Sequence, residues 1–197
     1  MDAIAPYIVG IGGTTRAASS TEKALRFVLA QCESRGAETV CFAGPELGTL
    51  PYYAPELPDR VEEARRLVDE LRRADGIVIA SSSYHGGISG LVKNALDYTE
   101  DMREDERCYF TGLPIGCVAT GSGWQGVVAT LKQLRDVVHS LRGWPTPMGA
   151  ALNTATPLFD PTGDPTDQKA RFQLTMVAQE LMTFVGMRSS HLTPLSS

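Results

Sequence analysis

The chain has 197 residues, 43% hydrophobic and 21% charged, with a formal net charge of −5. This is the size and make-up of one ordinary globular domain with a sizeable core, and the acidic balance argues against a general nucleic-acid binder. No stretch approaches the roughly 18 apolar residues of a membrane span, the Met1-Asp2-Ala3 start lacks the pattern of a secretory signal, and Cys32, Cys41, Cys108 and Cys117 form no C-x-x-C pair, so a cytoplasmic protein with reduced thiols and no metal site is expected.

Tyr7 to Ile11 reads as a first buried strand, followed by a turn of small and hydroxyl residues from Gly12 to Ser20. A helix follows with Ala24, Leu25, Val28, Leu29 and Cys32 on one face, stopping at Gly36. Thr39 to Phe42 is a short second strand, and Gly44 to Pro58 is a proline-rich loop. Arg60 to Asp75 is an amphipathic helix with Val61, Ala64, Leu67, Val68 and Leu71 on its apolar face. Ile77 to Ala80 is a third strand, leading through the Ser82 to Gly87 turn into a helix from Leu91 to Tyr98. Glu100 to Arg107 is a charged, solvated connection, and Ile115 to Thr120 a fourth buried strand. After the Gly121 to Gly126 turn a helix runs from about Val127 to Leu141. Thr146 to Ala150 is a fifth strand made irregular by Pro145 and Pro147. The last helix spans Gln168 to Val185, and the tail from Ser189, with His191 in it, is expected to be loose.

Strict alternation of buried strands and helices predicts an α/β fold with a parallel sheet covered on both faces. Five strands in the order 2-1-3-4-5 place a switch point between the first and third, where the loops after strands 1, 3 and 4 converge. These are the loops loaded with Gly, Ser and Thr. No internal repeat or second domain is visible, so residues 1–197 read as a single domain.

The first loop, Gly12 to Thr21, suits a terminal monophosphate. Its small residues let the backbone approach closely, the helix start offers unpaired N–H groups, Thr14, Ser19, Ser20 and Thr21 add hydroxyls, and Arg16 adds a cationic fork. A plainer reading makes Ser19 an N-cap with Glu22 closing a capping box. There is no Gly-Lys-Ser/Thr triplet, and Gly10-Ile11-Gly12-Gly13-Thr14-Thr15 has Thr15 where a dinucleotide fingerprint needs its third glycine. In the second loop Ser82, Ser83, Tyr84, His85 and Gly86 offer backbone N–H groups, an aromatic face and an imidazole to a planar ring. In the third, Gly121, Ser122 and Gly123 allow close approach, and Trp124 stands as a wall. The plainer readings are a half-buried Tyr84, a solvated His85 and a surface Trp124. Tyr52 and Tyr53 are given no site role, and His139 reads as structural or solvated.

Two of these stretches resemble the NADPH-dependent FMN reductase family of the flavodoxin-like superfamily. The family's Gly-Ser-x-Arg-x-x-Ser-x-Asn is matched by Gly13, Thr14, Arg16 and Ser19, with Thr21 at the Asn position. Its Pro-Glu-Tyr-Asn-Gly-Ser, then Leu-Lys-Asn-Ala-(Ile/Leu)-Asp-Trp, is matched by Tyr84, Gly86 and the run Lys93-Asn94-Ala95-Leu96-Asp97, while Ser82, Ser83, His85 and Gly87 depart from it. The resemblance implies a flavodoxin-like fold and FMN as cofactor, its phosphate on the first loop and its ring beside the other two. NADPH or NADH is then the electron donor, and free flavin, a quinone or a similar small molecule the acceptor. It implies a homodimer through the Leu91 to Tyr98 helix, and no catalytic side chain, because the flavin carries the chemistry. The alternatives are a flavodoxin-like electron carrier without nicotinamide activity and a flavin-free nucleotide-binding module.

Overall fold

The computed structural model describes residues 5–192, with the side chains of 189–192 left aside. Its strands in chain order are β1 (Tyr7–Gly13), β2 (Glu38–Phe42), β3 (Gly76–Tyr84), β4 (Gly87–Ile88), β5 (Pro114–Gly121), β6 (Trp144–Pro145) and β7 (Ala150–Asn153). The helices are α1 (Ser20–Glu33), the single turn α2 (Gly44–Leu47), α3 (Glu62–Arg73), α4 (Gly90–Asp97), α5 (Trp124–Ser140) and α6 (Gln168–Leu192), with a 3-10 turn over Tyr98–Met102.

The sheet runs β2-β1-β3-β5, then β6 and β7, all parallel; β4 alone is antiparallel, folded back on the end of β3. The expected order of five is therefore observed, with the fifth position split. β6 pairs with Pro114 and Ile115, β7 with Val118 to Gly121, and Thr146 to Gly149 lies between them. The predicted strand at Thr146 to Ala150 falls on that gap. Pro147 has no N–H for a ladder, and the break is held by side chains instead. Arg135 donates to the Thr146 carbonyl (2.8 Å), and the Met148 N–H donates to Glu180 (2.6 Å).

Alternation along the strands explains the two cores. Val9, Ile11, Ile77, Ile79, Ile115 and Cys117 face Leu67, Leu71, Val92, Leu96, Leu134 and Val138 of α3, α4 and α5. Ile8, Val78, Ala80 and Val118 face Leu25, Val28, Leu174, Val177 and Leu181 of α1 and α6. Among the described residues no helix is long and apolar enough to cross a membrane.

Several boundaries move for identifiable reasons. α3 starts at Glu62 and ends at Arg73, with Glu62 and Glu63 at its positive end and Arg72 and Arg73 at its negative end. Its last carbonyls, on Leu71, Arg72 and Ala74, accept from the Arg107 guanidinium. The charged stretch from Glu100 is therefore not a mere solvated link: Met102 is fully buried, and Asp101 and Arg107 are tied to the body. The loop after β2 contains a helical turn, α2. The last helix continues past Val185 to Leu192, overriding the loose tail expected from Ser189; residues 193–197 lie outside the described residues, as do 1–4.

Candidate functional site

The β1–α1 loop is built around an N-cap and a carboxylate. Ser19, buried, accepts from the Glu22 N–H at 3.2 Å and starts α1. Glu22 does not close the box onto Ser19. Its Oε2 accepts from the Ala18 N–H at 3.0 Å, and its Oε1 pairs with Arg26 Nε at 2.8 Å. The helix start thus already holds one carboxylate, neutralised by Arg26. Thr21 is buried, its hydroxyl hydrogen-bonded to Thr120 at 2.6 Å, so it ties α1 to the end of β5 instead of standing free in the loop. Thr14 closes a local turn with Arg16, its Oγ1 3.3 Å from the Arg16 N–H that donates to it. Ser20 is half-buried in the first turn of α1. Arg16 itself is exposed, and among the described residues its guanidinium has no hydrogen-bond or ion-pair partner. Across this loop lies Gly44: a Cβ there would stand 1.6 Å from the Thr14 carbonyl oxygen, so only glycine lets α2 lie against the loop.

Between this loop and β3 opens a crevice of about 130 Å³, lined among others by Thr14, Thr15, Ser82, Tyr84, Ser89 and Leu91. Ser82 is one of the lining residues, and its hydroxyl is buried with no hydrogen-bond partner among the described residues. A buried polar group without a partner is rare, because it has lost its water and gained nothing in return. Next to it Ser81 Oγ accepts from the Ser89 N–H (3.0 Å), and Ser89 Oγ accepts from Val92 N–H (3.3 Å) as N-cap of α4. The base of the hairpin and the start of α4 are fixed by these two serines.

The stretch read as a loop from Ser82 to Gly87 is mostly strand. β3 continues to Tyr84 because β5 pairs with it as far as Ser82 opposite Thr120, and β4 then pairs Gly87 with Tyr84. Only His85 and Gly86 form the turn, with φ of 53° and 77°. Two successive positive φ values make a type I′ hairpin, which Gly adopts freely and His tolerates better than most. The hairpin is fastened to α5: Thr130 Oγ1 donates to Ser83 Oγ at 2.9 Å, and Gln133 Nε2 donates to the Gly86 carbonyl at 3.0 Å. Ser83 therefore faces α5, while Tyr84 and His85 are exposed.

In the third loop Gly121 ends β5, and a Cβ on it would come within 3.0 Å of Ser83 Cβ, so β5 and β3 approach closely beside the crevice. α5 starts at Trp124, three residues before the predicted Val127, with Gly123 as an N-cap that has no side chain to satisfy the first turn. Ser122 and Gly123 are exposed. Trp124, 58% exposed, does not line the crevice at Ser82; it borders a separate one of about 320 Å³ over β7 and the start of α6.

The sequence did not point to Thr130 and Gln133, nor to a clamp beneath the proline-rich loop. Asn94 accepts from the Tyr53 N–H (2.9 Å) and donates to the Pro51 carbonyl (2.8 Å). Asp101 receives both Arg60 Nε (2.7 Å) and Nη2 (2.8 Å), and the Arg60 guanidinium lies 4.6 Å from the Tyr53 ring centroid. Hydrogen bonds from Arg60 hold the Asp101 carboxyl below its ordinary range. The signal for Asn94 was present in the Lys93-Asn94-Ala95-Leu96-Asp97 run; nothing in the sequence pairs Arg60 with Asp101. Among the described residues no cluster of His, Cys, Asp or Glu could hold a metal ion, and all four cysteines are free thiols.

The family model described as NADPH-dependent FMN reductase matches residues 6–156. An NAD(P)H-dependent FMN reductase of Pseudomonas aeruginosa is 27% identical over 184 residues, covering 90% of this chain and 94% of that protein. An FMN-dependent NADPH-azoreductase of Staphylococcus aureus is 25% identical over 182 residues, covering 88% and 92%. Among solved structures, the NAD(P)H:(acceptor) oxidoreductase FerB of Paracoccus denitrificans superposes with a TM-score of 0.76 at 20% identity, covering 92% of this chain and 98% of that one. A Streptococcus pneumoniae flavodoxin superposes at 0.59 and 13% identity, covering 90% and 98%. Both share the flavodoxin-like fold.

Proposed function

The chain belongs to the NADPH-dependent FMN reductase family, and from that premise we propose that it is an NAD(P)H-dependent FMN oxidoreductase whose cofactor sits between the β1–α1 loop and the β3–β4 hairpin. The observation that carries this reading is the buried hydroxyl of Ser82, a residue lining the crevice, which has no partner among the described residues, beside a loop whose one cation, Arg16, likewise has none among them. A ligand with a polar ring edge and a terminal phosphate meets both needs, and FMN has both. Thr14, Arg16 and Ser20 would hold the phosphate, with Ser19 and Thr21 shaping the loop through the N-cap and the bond to Thr120. Ser82, Tyr84 and the His85-Gly86 turn would border the ring, while Ser83 and Gly121 set the distance between β3 and β5.

When bound, FMN supplies two-electron chemistry that no side chain here offers. The chain's own contribution is binding and orientation. Thr130 and Gln133 hold the hairpin still, and Ser81 and Ser89 lock its base to α4. The chemistry FMN would supply there is the passage of electrons from NAD(P)H to a small acceptor, of the flavin, quinone or azo kind. We further propose one domain, a homodimer through α4, and a cytoplasmic setting, in keeping with four free thiols.

The test is one anaerobic spectrum. Protein reconstituted with FMN and freed of excess should keep a visible flavin band, and NADPH or NADH alone should bleach it. A band that persists with both nicotinamides would overturn the reductase reading in favour of an electron carrier; no band at all would overturn the assignment of the crevice.

A further inference from the structure

Beside the proposed flavin crevice, across β5, lies the second one of about 320 Å³. We infer that it receives the adenosine 2′-phosphate end of NADPH, with the purine against Trp124 and the phosphate on Lys169; this rests on the reading that a nicotinamide dinucleotide is the donor.

The walls suit such a group. Trp124 presents a 58% exposed indole as the first residue of α5, and planar rings stack on tryptophan favourably. The same lining holds two amides whose orientation the backbone fixes. Gln173 Oε1 accepts from the Ala151 N–H at 2.9 Å, and Asn153 Oδ1 accepts from the Ala155 N–H at 3.0 Å. Each amide oxygen is engaged, so each NH₂ remains a donor, and neither NH₂ has a partner among the described residues. Purine nitrogens are acceptors and complement them. Lys169 lines the same crevice, is exposed, and forms no ion pair or hydrogen bond among the described residues. The only carboxylate in the lining, Asp167, accepts from the Ala170 N–H at 2.8 Å and so starts α6.

Placement fits the donor's reach. Asn153 is in register with Gly121 of β5, and Thr120 is in register with Ser82 of β3. Two strand spacings, about 10 Å, therefore separate Asn153 of one lining from Ser82 of the other, a span an extended dinucleotide bridges through its diphosphate. Both lie at the carboxyl end of the sheet, where parallel α/β folds bind ligands.

The experiment uses a Trp144→Phe background, which leaves Trp124 as the single indole and keeps a ring against Phe184. Titrating with adenosine 2′,5′-bisphosphate should quench the emission saturably, with 5′-AMP binding more weakly. Lys169→Gln should weaken the bisphosphate roughly tenfold, as loss of a charge-assisted contact does, and leave 5′-AMP unchanged; Lys169→Arg should restore it. Asp167→Asn keeps a competent N-cap and removes a negative charge, and should tighten the bisphosphate about twofold. The same substitutions should move the KM for NADPH and not that for NADH. Equal affinity for the two nucleotides, no quenching, or quenching by an aromatic acceptor that the bisphosphate does not compete away would overturn the inference. Loss of flavin reduction by both nicotinamides would instead overturn the functional reading on which it rests.

Discussion

Arg16 and Ser82 make opposite predictions although both are assigned to the same ligand. Arg16 is exposed and has no partner among the described residues, so Arg16→Ala should leave the urea midpoint unchanged while weakening FMN by roughly 1.5–3 kcal/mol, about 10- to 150-fold, and riboflavin titration should show no such loss. Ser82 Oγ is buried without a partner among the described residues, so Ser82→Ala removes an unsatisfied group. The flavin-free protein should hold or gain about 1 kcal/mol in urea unfolding, while FMN binds less tightly. A loss of stability in Ser82→Ala would mean that its hydroxyl is satisfied without ligand. At this scale the sequence was informative where residue type alone decides. Arg16 could be picked out because a cation among small hydroxyl residues stands apart in the chain, and the structure leaves it exposed with no partner among the described residues. Thr21 was misleading because its type fits a phosphate, yet its hydroxyl meets Thr120, 99 positions away. Thr130 and Gln133 were invisible for the same reason: they act on a hairpin from another element.

Elements end where side chains from elsewhere receive their last polar groups. The terminal carbonyls of α3 are the clearest case, because the half-buried Arg107 that donates to them lies more than thirty residues on. Arg107→Ala should cost about 2 kcal/mol in urea unfolding, and Arg107→Lys should recover only part, since an ammonium lacks the planar fork. The tie between Arg60 and Asp101 carries a pH signature. Because Arg60 depresses the Asp101 pKa in the folded protein, its contribution is fully present above the unfolded carboxylate value of about 3.9 and fades as pH falls through the lower folded value. Asp101→Asn should therefore cost roughly 1–2 kcal/mol at pH 7 and progressively less below pH 4; a constant difference across that range would mean that the pair contributes through packing alone. Periodicity located nearly every helix and strand, since apolar faces are set locally. It missed the ends of α3, α5 and α6 and the hairpin after β3, because those depend on caps and register partners that a linear pattern does not contain.

At the scale of the whole molecule the two cores seal Cys32 and Cys117 completely, and burial pushes both thiols up to about 12. In the native protein neither should react with a thiol reagent at pH 8, while all four cysteines should react in denaturant; rapid native labelling of Cys117 would mean that the sheet opens at β5. The order of the sheet was readable from the alternation of elements and the loading of three loops with small residues. What alternation does not convey is that the last strand is broken. β6 has two residues and β7 four, with Pro147 in the gap and neighbouring carbonyl and N–H groups held by Arg135 and Glu180. The ladder on that border is short and interrupted, so this edge, unlike the continuous β2 at the other side of the sheet, is a poor template for a foreign strand. A chain with the gap mended into one continuous strand would keep its ligand site and acquire a template for fibres.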